Sequence, residues 1–380
     1  HEAGARIGIE FHGLGLQVFR FLLYQGAPLI VYTQEDPAGL VLARATTPTP
    51  SAGSDWEITT LPGGGSFCDL VLSNGKPAVG SGDSSGPVVF RPLSLPPWSA
   101  GDWIAMHPGP SMEEPAFVAM TVTNDHLSLF NAPSLDSTHR KHVFVYDAPG
   151  TDPQLDTDWV KQEIHFTFPV YHLLSATTLN GRRAFAYSAY DGMSNWLARE
   201  DDYTPPDSVW HQRVVLTGAQ VDRLAERSLW HDDTHFWLLS SPAYGRQLLV
   251  SSSPFPENTN DWLKLSFSTD ANSRLSPAMA ADPVYRVNGY PIIGASWELV
   301  STTLADRDPV LLVGKTVLPL SSDDWMTIPL WDLHNFSGNA TFALEGSTQY
   351  LAYTEILGPK VTNSDVAMRL AWAPWTLVIP

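Results

Sequence analysis

Aromatics, carboxylates and histidines are the residues of this chain with chemistry to offer, and many fall in short polar stretches between apolar runs. Tyr190, Asp191 and Trp196 share the stretch AYDGMSNW, Trp297 and Glu298 open SWELVSTTLADRDP, Trp331 and Asp332 open WDLHNFSGN, and Glu113 lies in HPGPSMEEP. Aromatic faces stack on the C–H surfaces of sugars, and carboxylates and amides accept hydrogen bonds from sugar hydroxyls. Tyr190, Asp191, Trp196, Trp297, Glu298 and Glu113 are therefore the candidate ligand-binding residues, and a glycan is the ligand they suit. Cleaving a glycosidic bond needs two carboxyl groups at a set separation. Glu35, Asp36, Asp83, Glu113, Glu114, Asp191, Glu298 and Glu355 all lie in stretches of this kind. No spacing singles out a pair, so the sequence assigns no catalytic residue.

Other chemistries find less to work with. His231 and His235 have helical metal spacing but straddle a turn, and His1 with His12 would need a third nitrogen ligand that nothing points to. Thr269-Asp270-Ala271-Asn272 and Asp306-Arg307-Asp308 offer hard oxygen ligands of the kind Ca²⁺ prefers, but lack a regular D-x-D-x-D spacing and read as solvated turns. No metal ligand and no cofactor is assigned. The chain has no Gly-x-Ser-x-Gly elbow and no Gly-rich phosphate loop before a helix. Its single cysteine, Cys68, lies in an apolar run, where it reads as a small buried hydrophobe.

Composition narrows the partners. The 380 residues carry a net charge of −18 with few lysines, so a polyanion is repelled, and nucleic acid and anionic membrane surfaces are excluded as partners. No apolar stretch is long enough to cross a bilayer. The start at His1, without Met, reads as a processed or trimmed product. Together with the low lysine content, that points to an extracellular or periplasmic protein.

The elements that must position these residues come from a repeat. Tight turns stand at Gln25-Gly26, Asn74-Gly75, Asn124-Asp125, Asn180-Gly181, Asp232-Asp233, Asn288-Gly289 and Glu345-Gly346, each followed by an apolar run. Roughly 28 to 36 residues after each comes a Trp: Trp56, Trp103, Trp159, Trp210, Trp262, Trp325 and Trp375. In five of the seven units the Trp directly follows an Asp: Asp55, Asp102, Asp158, Asp261 or Asp324. Asn-Gly between apolar runs is a hairpin signal, because both central residues of a type I′ turn need positive φ. An Asp at the start of a strand accepts nearby backbone N–H groups, and a Trp just after it fills the gap to a neighbouring sheet. A helix-rich fold is ruled out by 31 prolines and 27 glycines.

Units of about 50 residues with four antiparallel strands each predict an all-β, seven-bladed β-propeller. Blades are expected near 14–62, 66–108, 113–167, 170–217, 221–268, 276–331 and 340–380. The stretch AQVDRLAERSL, Ala219–Leu229, is the best helical candidate and falls where the fifth blade needs its first strand. Ala5–Phe11 alternates in polarity and is available to add a strand across the seam.

Ser54-Asp55-Trp56, Thr157-Asp158-Trp159 and Ser322-Asp323-Asp324-Trp325 resemble shortened Asp-box (BNR-like) repeats, in which a Ser/Thr-x-Asp turn precedes an aromatic residue; the glycine between Asp and aromatic is missing here. The resemblance covers nearly the whole chain and implies a propeller. Sialidases built from such repeats carry an arginine triad, an Arg-Ile-Pro-type motif and a Tyr/Glu pair. Phe90-Arg91-Pro92 lacks the middle residue, so no catalytic residue carries over. Function is expected at the ends of the blades opposite the tight turns: a secreted binding module for a glycan or a protein partner, with a glycoside hydrolase or polysaccharide lyase and a structural subunit of an assembly as the alternatives.

Overall fold

The computed structural model describes residues 6–13, 19–35, 38–63, 65, 67–83, 86–109, 117–132, 141–150, 152–189, 194–216, 229–232, 234–240, 247–266, 273–276, 285–299, 307–329, 336–346, 348–356 and 366–374. Their regular structure consists of strands and five short 3-10 turns. The strands form seven antiparallel sheets, the blades of a seven-bladed β-propeller, in which consecutive strands pair side by side. Two compact units share them. Leu16–Pro48 with Ser54–Gly218 holds blades 1 to 4, and His1–Gly15, Thr49–Gly53 and Ala219–Pro380 form the other.

Burial along each strand follows its place in the blade. Gly86–Pro92, His126–Ala132 and Arg182–Ala189 are buried at almost every residue, so both faces of these middle strands are covered. The fourth strands are less covered: Trp56–Leu61 and Trp103–Met106 mix buried with exposed positions, and Val160–His165 alternates between more and less buried positions, as the pleat requires where only one face is covered.

The hairpin turns form as the residue types demand. Gln25-Gly26, Asn74-Gly75, Asn124-Asp125, Asn180-Gly181 and Asn288-Gly289 all have positive φ at both positions. Blade 5 differs: residues 232–235 connect its first two strands, and the Asp232 carboxylate accepts from the backbone N–H groups of Thr234 and His235, both at 2.8 Å. In blade 7 the turn falls one residue later than the Glu345-Gly346 reading, since Glu345 ends its strand and Thr348 begins the next.

The five Asp-Trp pairs share one device. Each Asp ends a 3-10 turn, and the Trp that follows is buried. At Asp102, Asp158, Asp261 and Asp324 the carboxylate reaches back to the start of its own turn. Asp102 accepts from the Ser99 N–H and hydroxyl at 2.7 Å, Asp158 from the N–H groups of Gln154 and Leu155 at 2.8 and 3.0 Å, and Asp324 from those of Leu320 and Ser321 at 2.9 Å. Three of the indoles are seen to pack toward the preceding blade. Trp103 lies in an apolar cluster with Tyr24, Leu29 and Val31 of blade 1, and Trp159 in one with Ala78 and Val89 of blade 2. Trp325 meets Trp237 of blade 5 edge-on at 6.0 Å between centroids. Trp210 fills this place in blade 4 without the Asp, against Phe130 of blade 3 at 6.0 Å.

Three blades depart from four consecutive strands or carry them unevenly. The last sheet takes its outer strand from the other end of the chain: Arg6–Gly13 pairs antiparallel with Val366–Pro374, Arg6 opposite Ala371. The Ala5–Phe11 stretch thus adds the extra strand, and Trp375, expected to open a fourth strand there, lies outside the described residues. Blade 6 has two short first-strand segments, Ser273–Ser276 and Tyr285–Val287, both paired with Tyr290–Leu299. In blade 5 the described part of the first strand is Leu229–His231, and the helical candidate up to residue 228 lies outside the described residues.

Buried charge ties blades 1 to 4 together. The Asp69 carboxylate accepts from Arg20 Nε at 3.3 Å and from the backbone N–H of Met120 at 2.7 Å, so one side chain joins the first strands of three successive blades. Those strands have one edge without a sheet partner, and a carboxylate aimed at it satisfies an amide that would otherwise be stranded. Arg91 donates to the Ser73 carbonyl at 3.2 Å and pairs with Asp152 of blade 3 at 3.3 Å. Arg183 in blade 4 is fully buried, donating to both oxygens of Glu200 and across to Asp147 and Ser128 of blade 3, with the rings of Tyr203 and Trp210 stacked beside it. Burial pulls its guanidinium down, but Asp147 and Glu200 outweigh it and hold the group above its ordinary range.

Two measurements test these devices. Arg183→Met strands two buried carboxylates, so urea unfolding is expected to show a loss of about 3–5 kcal/mol; a loss under about 1 kcal/mol would mean the network contributes little. Hydrogen bonds from Ser99, Gln154 and Leu320 hold Asp102, Asp158 and Asp324 below the usual carboxyl range. Their contribution is therefore complete above the unfolded value of about 3.9 and is lost as pH falls through the lower folded values. A triple Asp→Asn variant is expected to melt below the wild type at neutral pH, with the gap narrowing on acidification below about pH 4. A gap independent of pH would rule out an ionic role for these turns.

Candidate functional site

Each blade has two unlike ends. The two-residue turns and the Asp-Trp turns occupy one, where the backbone is committed to forming the blade. Connections between second and third strands, and those leading to the next blade, occupy the other, and rigid scaffolds carry function on such loops. The strands reach further into these loops than the apolar runs alone suggested. In blade 1 they end at Glu35 and resume at Ala38, and in blade 6 they end at Leu299 and resume at Arg307.

This lengthening moves several of the predicted residues from loop to strand. Trp196 lies in Ser194–Glu200, opposite Tyr187 and Val214, with a bulge between it and Asn195. It is half-buried: its ring lies parallel to that of Tyr187 at 6.2 Å, Phe168 is 6.0 Å away, and its N–H donates to the Ser194 hydroxyl at 2.6 Å. Its polar group is thus engaged within the blade. Trp297 and Glu298 are strand residues, at register positions opposite Asp308 and Arg307. Tyr190, Asp191 and Glu113 lie outside the described residues.

The buried arginines do not converge as a triad on one ligand. Arg20, Arg91 and Arg183 each serve a separate tie between blades. Signals for these ties are weak in sequence, since the partners stand 36 to 61 residues apart, as with Arg183 and Asp147 or Arg91 and Asp152. Of the histidines at metal spacing, His231 Nδ1 contacts the carbonyl of Asp232 at 3.1 Å and His235 Nδ1 the hydroxyl of Thr234 at 2.6 Å, so both are bound into the turn. Asp201, held low chiefly by its hydrogen bond with His211, lies at the turn end of blade 4. Cys68 is buried, as its apolar run implied.

One group of side chains at the loop end has the composition of a metal site: His142, Glu163 and His165, on the third and fourth strands of blade 3. The turn end has a different character. Leu93, Leu95, Leu155, Val209, Phe255, Val317, Leu318 and Leu320, all exposed, lie in third-to-fourth strand connections of blades 2 to 6. No helix of the described residues is long and apolar enough to cross a membrane.

No protein-family model matches the chain, and no curated protein matches it. Solved structures do. The polysaccharide lyase Uly1 is similar at 8% identity, with 96% of this chain and 93% of that one covered and a TM-score of 0.53. The endosialidase of phage phi92 is similar at 10% identity, with 99% and 70% covered and a TM-score of 0.56. The WD40 domain of Toxoplasma gondii coronin is similar at 10% identity, with 99% and 85% covered and a TM-score of 0.50. At such identities the likeness is one of fold, and it agrees with the seven sheets: the chain is a seven-bladed β-propeller.

Proposed function

We propose that this protein is a secreted glycan-binding propeller that takes its ligand at the loop ends of the blades. The observation that carries this reading is the pairing of aromatic with carboxylate residues in the stretches that lead into those loops: Tyr190, Asp191 and Trp196 in blade 4, Trp297 and Glu298 in blade 6, with Glu113 between blades 2 and 3. Rings supply stacking surface and carboxylates accept from hydroxyls. The net charge of −18 favours an uncharged glycan over a polyanionic one. A glycan array with the intact protein, beside Tyr190→Ala/Asp191→Ala and Trp297→Ala variants that keep the wild-type melting temperature, tests this. Binding to neutral glycans is expected, weakened about tenfold or more in each variant, since losing one buried aromatic contact or one hydrogen bond to a charged group costs about 1.5–3 kcal/mol. Binding to no glycan on the array would sink the reading.

The enzymatic reading, a glycoside hydrolase or polysaccharide lyase, is favoured by one observation: two of the solved structures of like fold are a polysaccharide lyase and an endosialidase. It requires carboxyl groups at the same loop ends, and Glu113, Glu114 and Glu298 are among the acids that the sequence offers in those stretches. If it holds, incubation with a panel of polysaccharides releases new chain ends, and a Glu113→Gln/Glu114→Gln/Glu298→Gln variant loses that activity by two orders of magnitude or more, the range of one lost general acid or base. Activity retained in that variant would exclude a catalytic site built from these acids.

A further inference from the structure

The third strand of blade 3, His142–Asp147, and its fourth, Val160–His165, pair antiparallel, with His142 directly opposite His165 and Phe144 opposite Glu163. Directly opposed residues in such a pair carry their side chains on one face about 4.5–5.5 Å apart at Cβ, and residues two apart on a strand share that face. His142, Glu163 and His165 therefore form a triangle by register alone. The side chains use it. The imidazoles of His142 and His165 stand 4.5 Å apart between centroids at 66°, His142 Nδ1 is in contact with a Glu163 carboxylate oxygen, and one ligand atom from each residue lies within 4.8 Å of the other two.

The surroundings hold the triangle in place and leave it open on one side. His142 is half-buried and lies parallel to the Phe144 ring at 6.4 Å. The Lys161 ammonium, on the same face two residues before Glu163, sits over the Phe144 ring, 4.0 Å from its centroid. The ends of both strands are clamped: the Phe166 N–H donates to the Lys141 carbonyl at 2.7 Å, and Gln212 of blade 4 donates to the His165 carbonyl at 2.6 Å. Glu163 and His165 are exposed, so an ion reaches them from solvent.

We infer that His142, Glu163 and His165 bind one divalent transition-metal ion at the loop end of blade 3. Two imidazoles and one carboxylate suit Zn²⁺, Co²⁺, Ni²⁺ or Cu²⁺ rather than Ca²⁺ or Mg²⁺, which take oxygen ligands. At metal–ligand distances of about 2.0–2.2 Å the three atoms must lie roughly 3–4 Å apart, so closing the triangle takes a side-chain rotation and no movement of the strands. Three protein ligands leave at least one position for water, the arrangement of an exchangeable site and not of a closed structural one. The site does not depend on the glycan reading, and either stands without the other.

The test uses metal-free intact protein, titrated with Zn²⁺ in competition with a chromogenic chelator and with Co²⁺ followed by its visible spectrum. One equivalent per chain is expected, at micromolar dissociation constant or tighter. His165→Ala and Glu163→Gln, at exposed positions, are each expected to weaken Zn²⁺ binding at least about tenfold while keeping the metal-free melting temperature. His107→Ala, outside the triangle, should bind as wild type. Zn²⁺ bound no tighter than about millimolar, or equally by wild type and His165→Ala, or lost in His107→Ala, would overturn the assignment.

Discussion

A four-stranded antiparallel sheet with apolar residues on both faces has no stable existence in water by itself. The middle strands of these blades are of that kind, with Gly86–Pro92 and Arg182–Ala189 buried nearly throughout. Each blade must therefore find cover on both sides, and radial stacking supplies it from sheets of the same design. Much else follows from this one constraint. Trp103, Trp159 and Trp325 lie where a blade meets its predecessor, and the clusters that hold Trp103 and Trp159 each draw side chains from two blades. Outer strands, covered on one face only, alternate with water and can carry polar groups such as Glu163 and His165.

Covering the faces leaves the inner edges of the first strands to be dealt with, and here the protein uses charge. Asp69 spans three blades, and Arg183 takes two carboxylates and a serine hydroxyl into a site closed to solvent. Ion pairs so placed are costly to desolvate, and an apolar replacement of equal shape can be as stable. What they provide is direction: an apolar contact tolerates sliding, whereas a guanidinium between Asp147 and Glu200 accepts one relative setting of blades 3 and 4. Chemistry can then be left to the opposite ends of the blades.

The architecture was legible because its signals are local. Positive φ at two adjacent positions selects Asn-Gly and its relatives, and the Asp-Trp pair combines a turn cap with an interblade plug in two residues, so both recur at a period that can be counted. Where the local rule fails, so does the reading: Asp232 caps a four-residue connection through its side chain, and the acidic pair there imitates a tight turn. Strand ends at the loops are less legible, since polar residues continue the pairing beyond the apolar run, so that Trp196 and Trp297 read as loop residues in sequence and lie in strands. The buried arginines and the His142, Glu163 and His165 triangle left no mark in sequence. Their members meet through register and blade packing, 21 residues apart in the case of His142 and Glu163, and nothing in the intervening chain announces it.

The pairing of Arg6–Gly13 with Val366–Pro374 bears on how the chain reaches its final state. Arg6 and Ala371 are partners from strands more than 350 residues apart, so this sheet has a contact order that no hairpin among the described strands approaches. During synthesis residues 6–13 emerge early and must stay unpaired until residues 366–374 have followed. An alternating strand with two open edges is a template for pairing with other chains. Until then residues 6–13 carry two unpaired edges, which makes closure of this sheet the longest-range step in the folding of the described strands.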